Sequence, residues 1–442
     1  MKNKFLALLM MLALPVLTFA EDKLDSGDTS WMMISTALVL LMTPAGLALF
    51  YAGMTRSKNA LNTFSMVMGA FVLAFVVWII AGYSIAFGTN ESSSLQNIFG
   101  GFSNIMLNGI KWDALSGTYP TYVFIAFQGT FAAITVAIAS GSVIGRLKFS
   151  TWMLIVAIWG LLVYAPIAHM VWGGDGAYLF DAGALDFAGG TVVHMNGGLA
   201  GLVLAILVGK RAGYNKVAMK PFSIIFTAVG AALLWFGWYG FNAGSAFGAN
   251  TIAGLALLTT TIATAAAGLT WLLVEWLIYK KPTLLGIASG VVAGLVAITP
   301  AAGFVGVGGA FIVGIVGALI GFFGVVKLKA MFGYDDSLDA FGIHFLAGLW
   351  GALATPFFAL QNTETLWDGP LKESITKGEA PDVIGQFMVQ LESVAIVGAW
   401  TLIGTVVVYF IASALTGGGR VDEESEYDGL DESIHGERGI NL

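Results

Sequence analysis

The stretch AGGTVVHMNGGLAGLVLAILVG, residues 188–209, decides the fold class. It contains no Asp, Glu, Lys or Arg, and its one ionisable residue is His194. An apolar segment of about 20 residues is long enough to cross the hydrocarbon core of a bilayer as a helix. A histidine inside such a helix is costly, so it usually faces a pathway or a partner. The stretch therefore predicts a membrane-spanning helix that carries a functional side chain.

The composition of the whole chain agrees with a membrane protein. Of its 442 residues, 57% are hydrophobic and 11% are charged, whereas a soluble domain carries about 25% charged residues. The 58 glycines suit helices whose backbones approach closely in lipid. The chain has no cysteine, which excludes disulfides, thiolate metal sites and cysteine nucleophiles. A net charge of −7 without a dense basic run gives no support for nucleic-acid binding.

Apolar stretches of similar length recur along the chain and predict an all-α integral membrane protein with eleven transmembrane helices. The predicted spans are residues 31–52, 60–88, 120–142, 150–171, 188–209, 222–242, 251–279, 283–300, 302–326, 338–360 and 387–412. Together they form one transmembrane domain, residues 21–415. A polar cytoplasmic tail, residues 416–442, follows it.

The first 20 residues predict a secretory signal peptide. Lys2 and Lys4 precede a short apolar run that closes on Thr18-Phe19-Ala20. The alternative is a first spanning helix, but the run is short for a bilayer and is broken by Pro15. The folded chain is therefore expected to start near Glu21.

Positive charge falls in every second connection between the predicted spans. The basic residues of these connections are Arg56, Lys58, Arg146, Lys148, Lys210, Arg211, Lys216, Lys220, Lys280, Lys281, Lys327 and Lys329. The intervening connections hold only Lys111, Lys372 and Lys377 together with several acids. Since basic loops stay in the cytoplasm, we expect the N-terminus outside and the C-terminus inside a multi-pass protein of the inner (plasma) membrane. A cleaved signal peptide and an odd number of spans require the same orientation.

A weak internal repeat relates two of the spans. HMNGGLAG at 194–201 and HFLAGLWG at 344–351 share the pattern H-x-x-x-G-L-x-G, and IASG recurs at 138–141 and 287–290. Five spans in each half would make corresponding helices run in opposite directions, as in transporters built from inverted repeats, here with a final eleventh helix added. His194 and His344 would then meet near the middle of the membrane.

Ionisable residues within the predicted spans form the shortlist for function. They are His169, Asp186, His194, Glu275, His344 and Glu392. Because imidazole can both accept and donate a proton near neutral pH, His194 and His344 could line a proton or ammonia path. Each could instead make an ordinary hydrogen bond between helices. We expect His169 to be structural, and Glu275 and Glu392 to pair across helices or subunits.

Asp186 has two interpretations of similar weight. Its position in GALDFAGG, at the outer end of the fifth span, would let the carboxylate attract a cation. The carboxylate could equally accept N–H bonds from the backbone that follows, as a helix N-cap that shapes an entrance.

Aromatic residues concentrate near the predicted outer mouth. They are Phe127 and Phe131 in FQGTF, Trp172 in HMVWGG and Phe241 in WYGFNAGS. Membrane aromatics commonly form interfacial belts. A cluster of ring faces can also attract a partly dehydrated cation, and Ser245 could accept one of its N–H bonds. Trp172, Phe131 and Ser245 could thus form an external cup for a small cation.

These motifs together resemble the ammonium transporter family, also called the Amt/Mep/Rh family. The matching strings, in order, are PAGLALFYAGM, PIAHMVWGG, GALDFAGGTVVH, GFNAGSA, KPTLLGIASG, GVGGAFIVG, VQLES and HGE. The resemblance covers the chain from about residue 31 to the tail. It implies a homotrimer with one pore in each subunit and eleven helices in each subunit.

The resemblance also implies roles for particular residues. Trp172, Phe131 and Ser245, with Phe127 beside them, match the external recruitment site, and Phe131 and Phe241 match a stacked phenylalanine gate. His194 and His344 match the twin histidines of the pore. Asp186 matches the acid that supports the entrance. Family members commonly dock a P-II-type nitrogen regulatory protein on their cytoplasmic face.

Three positions depart from the pattern of the family. Gly145 stands where relatives commonly have a glutamate, so we expect a contact with the tail to be lost. Phe345 follows His344 where glycine is usual, and Trp350 is bulky within the same helix, so packing around the second histidine is expected to differ. The tail ends HGERGINL without the tyrosine often found after HGE.

The function predicted is channel-like transport of ammonium or ammonia. The cation would be recruited at the aromatic cup and deprotonated near the phenylalanine gate, and ammonia would pass the histidines with or without the proton. The alternative is an ammonium sensor of the same fold that signals through its cytoplasmic face, and a general ion channel is a weaker rival. The sequence shows no nucleotide loop, metal-ligand cluster or activated nucleophile, so we expect neither an enzyme nor a cofactor.

Overall fold

The computed structural model describes residues 23–360, 366 and 369–439, and these residues form a bundle of apolar helices. The predicted signal peptide lies outside the described residues. In chain order the long helices are α1 Ser26–Met54, α2 Ser57–Phe87, α3 Thr121–Ser140, α4 Phe149–Trp172, α5 Gly190–Val208, α6 Ile224–Ala243, α7 Thr251–Tyr279, α8 Leu284–Ile298, α9 Val307–Phe332, α10 Phe341–Phe358 and α11 Val383–Leu415.

Ten of these helices are long and apolar enough to cross a membrane within the described part of the chain. The one remaining predicted span, residues 283–300, coincides with α8, which is apolar but shorter. The largest difference in a boundary is at α9, which was expected to end at residue 326 and continues to Phe332. Lys327 and Lys329, interpreted as loop residues, therefore lie in the last turns of this helix, which ends because Gly333 is left-handed with φ 63°.

Helix ends follow local sequence signals. Side-chain oxygens of Asp25, Ser223, Asn250, Thr283 and Asp382 accept backbone N–H bonds at the starts of α1, α6, α7, α8 and α11. Each bond satisfies one of the N–H groups that a helix start leaves without an intrahelical partner. These caps place the polar residues of the chain at the helix ends and leave the helix interiors apolar.

Several helices contain a wider π-helical turn, a feature that is rare and is often found at functional sites. In α5 this turn is Gly190–Met195 and contains His194, and in α10 it is Phe341–Phe345 and contains His344. In α6 it is Tyr239–Ala243 and contains Phe241. Three of the residues selected from the sequence therefore lie in locally distorted helix.

The helices pack closely through small residues. A Cβ atom on Gly314 of α9 would lie 2.2 Å from the carbonyl oxygen of Ala263 in α7. A Cβ atom on Gly351 of α10 would lie 2.0 Å from the carbonyl oxygen of Ala297 in α8. Only glycine fits at these two contacts, which bring helix backbones together as expected in a lipid-embedded bundle.

The connections between helices lie at two ends of the bundle. One end, which we call the tail face, carries the α1–α2, α3–α4 and α5–α6 connections and the tail, with short helices α12 Glu423–Asp428 and α13 Leu430–His435. The other end, the opposite face, carries a hairpin of strands β1 Leu115–Ser116 and β2 Tyr119–Pro120, which leads into α3. It also carries the short helices Ser93–Gln96, Tyr178–Asp181 and Pro370–Thr376.

The tail is held against the tail face by hydrogen bonds of both backbone and side-chain groups. Val421 donates its N–H to the carbonyl of Arg146, and Lys148 donates its N–H to the carbonyl of Gly419. The Asp431 carboxylate accepts N–H bonds from Leu61 and Asn62 at 3.1 and 2.8 Å, near the start of α2. Burial raises the pKa of Asp431, and the N–H bonds from α2 oppose that rise.

Gly145 has no side chain that could bond the tail, and the neighbouring backbone of Arg146 bonds the tail directly. Two lysines of the basic connections also bond tail carbonyls: Lys148 donates to Thr416 and Gly417, and Lys58 donates to Tyr427. The Arg146 guanidinium bonds Gly209, Ser337 and Asp335 of the helical bundle rather than the tail, and Arg211 pairs with Asp335.

Candidate functional site

The two histidines of the repeated pattern meet inside the bundle. Their Nδ1 atoms lie 3.3 Å apart, and their rings are nearly parallel, with centroids 5.4 Å apart and an interplanar angle of 21°. His194 is 0% exposed and His344 is 4% exposed. The first π-helical turn of α5 and that of α10 place both imidazoles. The repeat in the sequence therefore predicted a real juxtaposition of side chains.

The short distance constrains where protons can be. A hydrogen bond between two Nδ1 atoms requires one to carry a proton and the other to accept it. The two neutral rings then differ in tautomer, so one Nε2 is an acceptor and the other is a donor. The Nε2 atom of His194 is buried and has no protein partner among the described residues. That atom is available to a small polar guest.

Aromatic rings continue from His194 toward the opposite face. Phe241 lies 5.6 Å from His194, measured between ring centroids, and Phe131 stacks on Phe241 at 4.2 Å with an interplanar angle of 28°. Trp172 meets Phe131 edge to face at 6.2 Å. Phe131 and Phe241 are 1% and 0% exposed, so this stack closes the route between Trp172 and the histidines.

A cavity of about 410 Å³ lies beyond the phenylalanine stack, and we call it the aromatic vestibule. Its lining residues are Phe87, Phe124, Gln128, Phe131, Trp172, Phe180, Phe187, Ser245, Phe247, Leu366 and Lys372. Three residues selected from the sequence, Phe131, Trp172 and Ser245, thus share one wall. Phe127 is 0% exposed and does not line the cavity. Its ring packs beside the cavity wall, with its centroid 4.8 Å from that of Phe131 and 6.2 Å from that of Phe247.

Polar groups in the vestibule are few: the cation Lys372 and the side chains of Ser245 and Gln128, which carry acceptor oxygens. Ser245 donates its hydroxyl to the carbonyl of Phe241 at 2.7 Å, so its oxygen lone pairs remain to accept a bond. The Oε1 atom of Gln128 is buried without a partner among the described residues. Trp172 donates its indole N–H to the carbonyl of Asp186 at 2.9 Å, which fixes the orientation of its ring.

Asp186 acts as a helix cap in this structure. Its two carboxylate oxygens accept bonds from the N–H groups of Gly189, Gly190, Thr191 and Val192 and from the Thr191 hydroxyl. The carboxylate is 1% exposed. Of the two interpretations of this residue, the geometry therefore favours the cap over direct binding of a cation.

The remaining ionisable residues of the spans have local partners. His169 bonds the carbonyls of Ala86 and Gln96 through its two ring nitrogens. Glu275 accepts bonds from the N–H and hydroxyl of Thr283, which closes the turn between α7 and α8. Glu392 accepts the hydroxyl of Tyr178 at 2.6 Å. Both glutamates therefore bond partners within the chain, and pairing with a second subunit stays a prediction.

Sequence reasoning missed three residues of the site. Trp238 stacks on His194 at 5.2 Å with an interplanar angle of 18°, and its indole N–H donates to Thr299. Gln128 and Phe247 line the vestibule. Trp238 lies three residues before Phe241, the spacing that places two residues on one helix face, and that spacing could have identified it. Phe345, expected to disturb the packing, stacks on Phe341 at 5.0 Å.

The fold and this site together define a multi-pass membrane transport protein. Comparison with known proteins makes the class more specific. The chain belongs to the ammonium transporter family, because the sequence model of the Ammonium Transporter Family matches residues 30–440.

Individual relatives support the same assignment. The chain is 45% identical over 427 residues to an ammonium transporter of Aquifex aeolicus, covering 96% of this chain and 95% of the relative. It is 44% identical over 417 residues to an ammonium transporter of Bacillus subtilis, covering 94% and 98%. The crystal structure of Saccharomyces cerevisiae Mep2 matches with a TM-score of 0.81 and 31% identity, covering 91% of this chain and 90% of that one.

Proposed function

We propose that the protein conducts ammonium or ammonia along the row of rings that joins the aromatic vestibule to the histidine pair. Membership of the family supports ammonium as the substrate. The observation that carries the route is the continuous succession of Trp172, Phe131, Phe241, His194 and His344, with neighbouring centroids 4.2 to 6.2 Å apart.

Recruitment in the vestibule would select ammonium by its hydrogen bonds. Ammonium and potassium have similar sizes, so a rigid pore cannot separate them by radius. The faces of Trp172 and Phe131 attract any small cation. The free acceptors on Ser245 and Gln128 favour a cation that carries N–H donors. Potassium has no N–H donor and cannot form these directional hydrogen bonds.

Deprotonation would take place at the stack of Phe131 and Phe241. These buried rings offer no hydrogen-bond acceptor to replace the water lost by a cation, so the charged form is disfavoured there. Neutral ammonia can pass between the rings when they move apart. Beyond them it meets the unpartnered Nε2 atom of His194 and can exchange hydrogen bonds along the histidine pair.

The proton has two possible routes. It either returns to the outside or follows through the shared Nδ1 hydrogen bond of His194 and His344. Solid-supported membrane electrophysiology on proteoliposomes, with pulses of ammonium, methylammonium and potassium, tests the function and distinguishes the two routes. Charge movement with ammonium indicates that the proton follows through the histidine pair. A change of internal pH without current indicates that the proton returns to the outside. A potassium response as large as the ammonium response would reject the proposal.

We propose further that the vestibule faces the outside and the tail face lies in the cytoplasm, with eleven spans including α8. The basic connections on the tail face support this orientation. The absence of cysteine makes the test simple, because single cysteines can be introduced at Ser57 on the tail face and at Ser94 on the opposite face. A membrane-impermeant thiol reagent applied to intact cells should label the cysteine at position 94 and leave the cysteine at position 57 unlabelled.

We also propose an oligomeric state and a protein partner. The family resemblance supports a homotrimer in the plasma membrane, which native mass spectrometry of the purified protein tests. It also supports docking of a P-II-type regulatory protein on the tail face.

The sensor alternative shares the fold. A structure described as a sensor Amt protein matches with a TM-score of 0.82 at 24% identity, a likeness that concerns the fold alone. Within the described residues the tail forms the short helices α12 and α13, which pack on the bundle. The similarity to the ammonium transporters of Aquifex aeolicus and Bacillus subtilis favours transport, and flux measured in purified proteoliposomes separates the two functions.

A further inference from the structure

Asp336 occupies the position in the second half of the repeat that Asp186 occupies in the first. Each aspartate lies eight residues before a histidine of the pair, Asp186 before His194 and Asp336 before His344. Each also caps the π-helical turn that holds the histidine. The Oδ2 atom of Asp336 accepts the N–H of Phe341, the first residue of α10, at 2.8 Å.

The two carboxylates differ in how completely they are bonded. Both oxygens of Asp186 are occupied by N–H and O–H donors. Asp336 is only 1% exposed, and its Oδ1 atom is buried without a hydrogen-bond partner among the described residues. A buried carboxylate oxygen without a donor is costly and requires a specific explanation.

A second unpartnered polar group lies two residues earlier in the chain. The hydroxyl of Tyr334 is buried without a partner among residues 23–360, 366 and 369–439. Burial, and then the negative charge of Asp336, raise the pKa of this hydroxyl. The Tyr334 ring also meets Phe341 edge to face at 5.9 Å, so both groups border the start of α10.

The neighbouring cations are engaged elsewhere. Arg146 donates to Gly209, Ser337 and the carbonyl of Asp335. Lys329 pairs with Asp339 at 2.7 Å. Both are close enough to Asp336 to interact with its charge, but neither donates a hydrogen bond to it. They reduce the electrostatic cost of the buried carboxylate, and Oδ1 is left for a donor that the described residues do not supply.

We infer that Asp336 Oδ1 and the Tyr334 hydroxyl form an ammonium-binding site at the tail-face end of the pore. The inference rests on the proposed function and deepens it. A small cation with N–H donors satisfies both unpartnered oxygens. The positive charges of Arg146 and Lys329 keep its binding weak, as conduction requires of a site that the ion must leave. The outer aspartate shapes the entrance, whereas its inner counterpart binds the substrate.

Uptake of labelled methylammonium from either side of the membrane tests the site. Right-side-out and inside-out vesicles are prepared from cells that express the full chain. Asp336→Asn retains an acceptor for the Phe341 N–H but removes the negative charge. We expect it to weaken the apparent affinity in inside-out vesicles about tenfold, the loss when a bond to a charged acceptor becomes one to a neutral acceptor. The affinity in right-side-out vesicles should not change.

Two further variants make the result decisive. Tyr334→Phe keeps the ring packing on Phe341 and should weaken the affinity in the same direction. Asp382→Asn changes a carboxylate that caps α11 on the opposite face and should leave both affinities at the wild-type value. If Asp336→Asn changes neither affinity, or changes both equally, the site is wrong. If wild-type vesicles of both orientations take up no methylammonium above cells without the protein, the proposed function fails and the site fails with it.

Discussion

The Nδ1 atoms of His194 and His344 lie 3.3 Å apart at the centre of the bundle, although 150 residues separate them in the chain. Since one proton must be shared between two nitrogens at this distance, the rings form a polar pair whose two ends differ. The stacked rings of Trp238 and Phe241 hold His194 from one side. This relationship makes the pair a candidate relay, and several predictions depend on it or on the rings that lead to it.

Replacing His194 by Ala removes one member of the pair. We expect the number of protons moved per methylammonium to fall by about tenfold or more, because a positioned proton carrier is lost. Parallel measurement of current and labelled flux in proteoliposomes gives this ratio. Glu392→Gln, which alters an ionisable residue bonded to Tyr178 and away from the pair, is the control. Wild-type current and selectivity in His194→Ala would reject the relay.

Replacing Trp172 by Leu removes a cation-attracting ring from the vestibule and keeps most of its bulk. The loss of a cation–π contact predicts an apparent affinity for ammonium about threefold to thirtyfold weaker. The concentration dependence of transport measures it. Trp112→Leu provides a matched control, because that indole is 81% exposed and lies outside the vestibule. An unchanged concentration dependence in Trp172→Leu would show that recruitment does not use this ring.

Replacing Asp186 by Asn should destabilise the protein more than it alters substrate affinity. The carboxylate accepts five hydrogen bonds, and an amide cannot accept all of them because its nitrogen is a donor. Each buried donor left unpaired costs about 1–3 kcal/mol. The melting temperature of the detergent-solubilised protein should fall well below those of wild type and Asp382→Asn. A wild-type melting temperature with weakened affinity would instead favour direct binding of the cation.

Removing residues 417–442 tests the role of the tail in docking a regulator. The tail bridges the α1–α2 and α3–α4 connections through Asp431 and Val421, so its removal should reshape the surface offered to a P-II-type protein. Co-purification from nitrogen-replete cells, in low and moderate salt, should capture the host's P-II protein with the full chain and lose it with the truncated chain. Equal capture by both chains, or capture by neither, would reject this role.

The sequence predicted most of the transmembrane fold because the signal for it is local. Apolar length places helices such as α5 and α7 to within a few residues, and the recurrence of H-x-x-x-G-L-x-G brings His194 and His344 together. The end of α9 was missed because Lys327 and Lys329 were interpreted as loop residues, whereas the left-handed Gly333 sets the boundary.

Other features of the site depend on contacts that no local pattern contains. Gln128 was missed because polar residues in spans are common, and only the packing of α3 directs this one toward the route. The contacts of the tail were not predicted for a related reason. Asp431 bonds N–H groups about 370 residues earlier in the chain, so its role as a cap is fixed by the folded arrangement alone.

Uptake of labelled methylammonium by proteoliposomes, with unlabelled ammonium or potassium as competitor, tests the central claim most directly. It measures passage of the substrate whether or not a proton accompanies it. Selection for a cation with N–H donors, by the acceptor oxygens of Ser245 and Gln128, predicts saturable uptake that protein-free liposomes lack. Ammonium should suppress this uptake, and an equal concentration of potassium should leave it unchanged. Uptake suppressed as strongly by potassium as by ammonium, or no uptake above protein-free liposomes, would contradict the account.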